Sequence, residues 1–145
     1  MTGTYEHTLD AKGRMFLPAK LREELGPSFH VAVGANRDAA GICKYLVMYP
    51  DATWRRLQER VAELPSSQAA AMDVIFGNAA RCEPDSQWRI LIPQDLRDYA
   101  GLTRDIVVVG NNDKAKIWDA QAWNEKKKRE LTPEQVAETM LLLGL

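Results

Sequence analysis

The sequence is poor in the features of secreted, disulfide-linked and membrane-spanning proteins. It has only two cysteines among 145 residues, Cys43 and Cys82, which excludes a disulfide framework and a cysteine-rich zinc site. Apolar runs reach only about five residues, too short for a helix that crosses a bilayer. The first residues also lack the basic start and apolar core of a secretory signal. We therefore predict a cytoplasmic protein with reduced thiols and no membrane partner.

Residues that catalyse reactions or hold metals are equally scarce. Of the two histidines, His7 is close to Glu6 and Asp10, but the alternation of a β-strand would place Glu6 and His7 on opposite faces. The other, His30, has no neighbour at metal-ligand spacing. There is no nucleophile elbow, no phosphate-binding glycine loop and no paired-histidine metal motif. We predict that the protein is not an enzyme and has no catalytic residue, metal, cofactor or small-molecule substrate.

A strong charge of either sign is absent as well. The 19 Lys and Arg residues nearly balance the 20 Asp and Glu residues, which gives a formal net charge of −1. This balance argues against a protein that coats nucleic acid through its overall charge, but a local arginine cluster could still bind DNA. With 46% hydrophobic and 27% charged residues, the composition is that of a folded globular chain.

The most informative feature that is present is an internal repeat. Residues 10–26 read DAKGRMFLPAKLREELG, and residues 85–101 read DSQWRILIPQDLRDYAG, 75 positions later. Six residues recur at equal offsets: Asp10/Asp85, Arg14/Arg89, Pro18/Pro93, Leu21/Leu96, Arg22/Arg97 and Gly26/Gly101. Self-similarity of this kind indicates a duplicated structural unit.

The pattern within each repeat predicts its local structure. A strand, a tight turn and a second strand precede a short helix between a proline and a glycine, and two further strands and a longer helix follow. We assign the first repeat to residues 1–64, a connecting helix to 65–77, and the second repeat with a C-terminal helix to 78–145. One repeat is too small to bury a sufficient core, whereas two copies packed about a pseudo-twofold axis can share one. The predicted fold class is therefore α+β.

The second half of the first repeat carries finer predictions. FHVAVG (29–34) aligns with DIVVVG (105–110), and the extra residues that follow it, around ANRDAAGIC, predict a longer hairpin loop. Asp51 is expected to cap the next helix. Four residues of that helix at helical spacing are expected to pack in the core: Trp54, Leu57, Val61 and Leu64.

The C-terminal segment contains a basic run and an apolar helix. The run EKKKRE (125–130) would point around a helix, which predicts a solvated surface with Glu125 paired to Arg129. Thr132 is expected to cap a last helix. Its apolar stripe is expected to pack on its own domain or on a neighbouring subunit, and consists of Val136, Met140 and Leu143.

The two turns at the start of the repeats are the candidate site. For a single hairpin, the simplest interpretation is an Asp that caps backbone amides and pairs with the Arg four residues later. Two such turns related by a twofold axis would instead form one concentrated patch, suited to phosphates and base edges. The residues of this patch are Lys12, Arg14, Gln87 and Arg89.

These motifs resemble the MraZ family, the duplicated member of the AbrB/SpoVT group. The resemblance covers YEHTLDAKGRMFLPAKLREELG, the second Asp-x-x-x-Arg and YPDATW (49–54). It implies two swapped-hairpin β-barrel repeats with short flanking helices, and a closed ring of identical subunits. It also implies a nucleoid-associated transcriptional regulator, usually a repressor, of the bacterial division and cell-wall gene cluster. Such a regulator binds tandem short boxes of double-stranded DNA in a promoter.

The resemblance also implies roles for individual residues. Asp10 and Asp85 would shape the turns, and the contacts to DNA would come from Gly13 together with the patch residues of both turns. The family usually has Gly before the second Arg, where this chain has Trp88. A bulky residue disfavours a left-handed backbone, so the second turn is expected to have a different shape and Arg89 to be the weaker DNA contact.

Two classes of function remain open at this point. In one, the protein is a sequence-specific DNA-binding regulator that acts as a ring. In the other, it is an oligomeric scaffold or protein-interaction module of the same fold that does not bind DNA.

Overall fold

The computed structural model describes all residues, Met1–Leu145, and alternates short strands with short helices. The strands are β1 (Thr4–Thr8), β2 (Arg14–Phe16), β3 (Phe29–Asp38), β4 (Gly41–Pro50), β5 (Ala80–Cys82), β6 (Arg89–Leu91), β7 (Asp105–Asn111) and β8 (Lys114–Asp119). The helices are α1 (Arg22–Leu25), α2 (Asp51–Ala62), α3 (Ser66–Ala71), α4 (Asp73–Gly77), α5 (Gln94–Ala100), α6 (Ala120–Glu130) and α7 (Pro133–Met140), with 3-10 turns at Ala19–Leu21 and Leu141–Leu143. None of the helices has the length and apolar character that crossing a membrane requires.

The strands form one six-stranded antiparallel sheet and one two-stranded sheet. The order of the larger sheet is β1-β7-β8-β4-β3-β5, which is symmetric about the β8–β4 pair. The first strand of each repeat pairs with the third strand of the other, β1 with β7 and β5 with β3. The smaller sheet joins the second strands, β2 and β6. This exchange confirms the predicted α+β fold of two swapped-hairpin repeats about a pseudo-twofold axis.

The two repeats share a single main core. A cluster of 19 buried residues contains side chains from both, including Met15 and Phe29 from the first and Ile90 and Ile106 from the second. The 3-10 turn and the helix α1 that follow the first turn contribute Leu21 and Leu25, which are both 1% exposed. Because neither repeat encloses a core of its own, each half depends on the other for its apolar burial.

The extra residues of the first repeat lengthen two strands instead of a loop. Strands β3 and β4 pair without interruption from Phe29–Pro50 to Asp38–Gly41, whereas β7 and β8 stop at Asn111–Lys114. The prediction of a longer hairpin loop is therefore wrong. Equal numbers of residues added to both strands preserve the register, so the ladder can continue without moving any side chain to the other face.

The alignment of the third strands is shifted by one residue from the predicted one. Phe29 pairs with Cys82 of β5, and its true counterpart Ile106 pairs with His7 of β1. Asp105, which the sequence alignment placed opposite Phe29, is exposed. Burial of the aromatic and β-branched side chains, not the position of the glycine that ends each run, sets the register.

The helix caps differ between the repeats. The prediction that Asp51 caps α2 is wrong. Asp51 is the first residue of the helix, and its carboxylate accepts a 3.0 Å hydrogen bond from Ser28 Oγ. In the second repeat Asp119 stands one position earlier relative to its helix and accepts from the Ala122 amide at 3.0 Å. Thr132 caps α7 as predicted, since its hydroxyl accepts from a backbone amide of the first turn.

Helix α2 contributes less to the core than its spacing predicts. Trp54 is buried and stacks on the His30 ring with centroids 4.6 Å apart, but Leu64 lies beyond the end of the helix and is exposed. Leu57 and Val61 are only partly buried. The helix packs on β3 and β4, and Trp54 in its first turn is its only buried side chain.

The basic run on α6 is an anchor for the long β3–β4 hairpin. Lys126 Nζ and Arg129 Nη2 lie 3.1 and 3.4 Å from the same carboxylate oxygen of Asp38, at the end of β3. Arg129 therefore pairs with Asp38, and the predicted pairing of Arg129 with Glu125 is wrong. The hydrogen bonds to Asp38, first among them the one from the Cys43 thiol, hold the pKa of its carboxyl well below its usual range. Cys43 and Cys82 are both free thiols.

Truncation of the central residue of either strand in the two-stranded sheet should destabilise the whole protein. Met15 and Ile90 face each other in the β2–β6 pair and are 1% and 2% exposed. We expect Met15→Ala and Ile90→Ala each to lower the free energy of unfolding by about 2–5 kcal/mol in a single transition, measured by chemical denaturation. The matched control is Ile42→Ala on the exposed hairpin tip, which should change stability by less than about 0.5 kcal/mol. Two separate transitions would contradict a shared core.

Candidate nucleic-acid interface

The first turn is organised by the carboxylate of Asp10. Its Oδ1 accepts hydrogen bonds from the backbone amides of Lys12 and Arg14, each at 2.9 Å. Its Oδ2 accepts from Arg14 Nε at 2.7 Å. The backbone closes the turn around this side chain, because the Gly13 amide donates to the Asp10 carbonyl at 3.0 Å. The turn therefore fixes the stem of Arg14, while the terminal guanidinium nitrogens have no partner within the chain.

The second turn has the same hydrogen bonds. Asp85 Oδ1 accepts from the amides of Gln87 and Arg89 at 2.9 Å each, and Oδ2 accepts from Arg89 Nε at 2.9 Å. The Trp88 amide donates to the Asp85 carbonyl at 2.9 Å, as Gly13 does in the first turn. The expectation that Trp88 would give this turn a different shape is therefore wrong. Arg89 is held in the same way as Arg14.

Trp88 adopts the left-handed backbone that its size disfavours. Its φ is 61°, a conformation that costs a non-glycine residue about 1–3 kcal/mol. Three contacts offset this cost. The Trp88 amide donates a hydrogen bond to the Asp85 carbonyl, and the Trp88 carbonyl accepts one from the Leu17 amide at 2.8 Å. The Arg22 guanidinium lies 4.8 Å from the indole centroid. Tertiary contacts thus determine the backbone here, against the local preference of the residue.

Each turn is braced by an arginine from a short helix. Arg22 covers Trp88 of the second repeat, and Arg97 of the second repeat lies against Gly13 of the first, where an added Cβ would overlap the Arg97 Cζ. Both arginines donate a hydrogen bond from Nε to a backbone carbonyl. Arg22 donates to the Leu17 carbonyl at 3.1 Å, and Arg97 donates to the Ile92 carbonyl at 2.9 Å. The bracing arginines are therefore structural supports of the turns.

The electrostatics of the turns favour ionised aspartates. The backbone hydrogen bond from the Arg14 amide lowers the pKa of Asp10, and the one from the Arg89 amide lowers the pKa of Asp85. A depressed carboxyl pKa stabilises the folded turn when the pH is above the unfolded pKa of about 4, and this stabilisation is lost as the pH falls through the folded pKa. At neutral pH both carboxylates are charged and hold their arginines.

The β2–β6 pairing brings the two turns onto one surface. Arg14 pairs with Leu91 and Phe16 pairs with Arg89, so the turns lie at opposite ends of this short ribbon. Alternation points these four side chains outward and turns Met15 and Ile90 inward. We call the outer side of β2 and β6, with the turns 10–14 and 85–89, the turn face.

The predicted site residues take different places on the turn face. Arg14 and Arg89 lie within the ribbon, and the exposed Lys12 and Gln87 lie at the tips of the two turns. Gly13 uses both of its backbone polar groups internally, since its carbonyl accepts from the Ile92 amide at 2.9 Å. The structure thus unites the predicted arginines on one surface and separates the two tips along it.

Sequence reasoning missed the apolar part of this surface. Phe16 and Leu91 are 51% and 56% exposed, although the residues beside them in the same strands are buried. The signal was available in both repeats, where an apolar residue follows the turn arginine at the second position and so shares its face.

Comparison with known proteins connects the chain with one family. A family model described as "MraZ protein, putative antitoxin-like" matches residues 1–74 and again residues 75–143. The "Transcriptional regulator MraZ" of Carboxydothermus hydrogenoformans is 38% identical over 143 residues, which cover 96% of this chain and 95% of that protein. The protein of the same name from Acetivibrio thermocellus is 37% identical over 147 residues, covering 99% and 98%. These names describe regulators of transcription, not enzymes.

Gly13→Ala should lower the free energy of unfolding by about 1 kcal/mol more than Gly101→Ala. Both glycines have positive φ, 83° and 65°, so a side chain strains the backbone at either position. At Gly101 the new Cβ meets only the end of the Lys44 side chain, whose nearest atom is Cε at 3.6 Å. At Gly13 it must push the Arg97 guanidinium away from the Ile92 carbonyl. Chemical denaturation of both variants measures the difference.

The matched test repeats both substitutions in an Arg97→Ala background. Without the guanidinium, Gly13→Ala and Gly101→Ala should differ by less than about 0.5 kcal/mol. A difference that persists in this background would show that Arg97 is not the obstacle at Gly13.

Proposed function

This chain belongs to the MraZ family of transcriptional regulators, and we propose that it is a repressor that binds specific DNA sequences through the turn face. The observation that carries the proposal is the pair of equivalent turns, each with an aspartate that holds the stem of an arginine. The terminal nitrogens of Arg14 and Arg89 are left free, which suits the two acceptors on the major-groove edge of guanine.

The held arginines suit base reading because they lose little freedom on binding. A guanidinium that is already oriented loses little conformational entropy when it meets its acceptors, so more of the free energy of each hydrogen bond contributes to affinity. We therefore assign Arg14 and Arg89 to base edges, and Gln87, whose side chain is exposed and unpartnered, to a base edge or a phosphate. In this proposal, Gly13 has no side chain in the way and so allows the backbone of the first turn to approach the DNA closely.

Lys12 has a different role in the proposal. It is exposed and forms no ion pair within the chain, so its ammonium group can follow a phosphate as a mobile point charge. Because the chain carries a net charge of only −1, the local cations of the turn face must supply the attraction to DNA. Few such contacts per subunit imply modest affinity for a single box.

Oligomerisation would compensate for this modest affinity. We propose that several subunits form a ring in which adjacent turn faces bind tandem boxes of one promoter, so that each contact raises the effective concentration of the next. An apolar surface is available for subunit contacts near the end of the chain. It contains Leu131, Leu141, Leu142, Leu143 and Leu145, each at least 65% exposed.

The target of the proposed repressor follows from the family resemblance. We propose that it binds upstream of the division and cell-wall gene cluster that includes its own gene, and that it is associated with the nucleoid for this reason. The alternative function, an oligomeric scaffold without DNA binding, draws support from the same exposed leucines. Binding to the upstream DNA separates the two functions.

Substitutions on the turn face should separate base reading from charge. Arg14→Ala and Arg89→Ala should each cost about 1–3 kcal/mol per engaged site and reduce the preference for the upstream duplex over a scrambled one. The two effects should be similar, because the two arginines are held in the same way. Lys12→Ala should weaken binding to both duplexes alike and reduce the salt slope by about one per site.

The measurement is a titration of each variant against both duplexes at two salt concentrations. Wild-type protein that does not distinguish the upstream duplex from the scrambled one would favour the scaffold function. If Arg14→Ala leaves the ratio of the two affinities unchanged, the turn is structural only.

The ring can be tested by mass and by probe length. Light scattering at micromolar concentration should give a mass larger than that of a dimer. An upstream duplex with all its boxes should bind about 10²–10⁴-fold more tightly than a duplex truncated to one box. A monomeric mass, or equal affinity for the two duplexes, would contradict the proposed avidity.

A further inference from the structure

Two apolar side chains occupy equivalent places on the turn face. Phe16 follows Arg14 at the second position in β2, and Leu91 follows Arg89 at the second position in β6. Both are more than half exposed, at 51% and 56%. A single exposed apolar residue on a protein surface needs no explanation. Two at symmetry-related positions on a candidate binding surface point to an apolar group on the ligand.

The strand register places each of these residues beside an arginine. Leu91 is directly opposite Arg14, and Phe16 is directly opposite Arg89. Side chains directly opposite each other in an antiparallel pair have Cβ atoms about 5 Å apart. Each half of the turn face therefore presents one guanidinium and one apolar side chain as neighbours.

DNA offers one ligand group that matches this pair. The major groove is wide enough for a two-stranded β-ribbon, and the only apolar group on its floor is the C5-methyl group of thymine. The acceptors of guanine lie on the same floor and match a guanidinium. An arginine beside an apolar side chain is thus complementary to a guanine close to a thymine.

We propose that Phe16 and Leu91 determine sequence specificity by contacting thymine methyl groups in the major groove. The inference rests on the proposed DNA-binding function and adds a second base type to it. Phe16 reaches further from the strand than Leu91, so the first repeat makes the larger methyl contact.

The surroundings favour DNA over a second protein copy as the partner of these residues. Arg14 and Arg89 flank them with free terminal nitrogens, and Lys12 adds an unpaired ammonium, so the partner must be anionic as well as apolar in places. The exposed leucines of residues 131–145 lie outside this surface and provide a separate apolar patch for contacts between copies.

The experiment compares thymidine with deoxyuridine, which differs from it only in lacking the C5-methyl group of the base. The probes are two duplexes of the chain's own upstream region, one natural and one with every thymine replaced by deoxyuridine, titrated with the full-length protein. Wild-type protein should bind the natural duplex more tightly by about fourfold for each contacted methyl group, the value of one buried methylene. This comparison needs no variant and does not depend on the folding of one.

Variants then assign the methyl contact to its residues. Phe16→Ala should weaken binding to the natural duplex and reduce the thymine-to-uracil ratio, whereas Phe16→Leu should retain most of it. Leu91→Ala should reduce the ratio less than Phe16→Ala. The control is Ile42→Ala, which removes a similarly exposed apolar side chain near the tip of the β3–β4 hairpin and should leave the ratio unchanged.

The possible failures are distinguishable. Specific binding to both duplexes with equal affinity would overturn this inference and leave the proposed function intact. A wild-type ratio that Phe16→Ala and Leu91→Ala both preserve, with circular dichroism showing that they fold, would also overturn it. Failure to bind either duplex better than a scrambled one would instead overturn the proposed function. A change in oligomer mass without a change in ratio would assign the two residues to subunit contacts.

Discussion

The arrangement of the molecule depends on two reciprocal backbone hydrogen bonds between its repeats. The Leu17 amide donates to the Trp88 carbonyl at 2.8 Å, and the Ile92 amide donates to the Gly13 carbonyl at 2.9 Å. Each bond joins the residue that directly follows β2 or β6 to the turn of the other repeat. Neither turn can change its backbone without breaking the ladder that closes the shared core, so the conformation of the site is a consequence of the fold.

This coupling explains why the turns hold their arginines so firmly. Within each turn the aspartate satisfies two backbone amides and one guanidinium nitrogen, and outside it an arginine from a short helix fills the remaining space. A turn on an isolated hairpin would exchange these bonds with water at little cost. Here the same bonds are part of a fixed surface, which is the condition for reading bases through a small number of contacts.

The sequence was sufficient for the repeated architecture because the repeat itself is strong evidence. The recurrence from Asp10 to Gly26 and from Asp85 to Gly101 predicted the strand, turn and short helix of both halves and the pseudo-twofold fold that unites them. Those features depend on local chemistry, namely an aspartate that binds its own backbone and a helix bounded by Pro and Gly.

The predictions that were wrong concern features that distant contacts determine. Trp88 was expected to reshape its turn, but a hydrogen bond from the Leu17 amide to its carbonyl and the Arg22 guanidinium over its ring hold it in place, and neither residue is near it in sequence. The length of the β3–β4 hairpin and the pairing of Arg129 with Asp38 likewise depend on which strands and helices meet. A single sequence shows the propensity of each residue but not the tertiary contacts that override it.

Fusion of the two repeats has a consequence for what the turn face can recognise. A homodimer with a twofold axis must present identical halves, and it therefore favours a palindromic site. In this chain the tips of the halves carry Lys12 and Gln87, and their apolar residues are Phe16 and Leu91. The backbone of the two turns is equivalent while the side chains are not. At the proposed interface, one subunit would then distinguish the two directions along the DNA, and the proposed ring would require boxes that all have the same orientation.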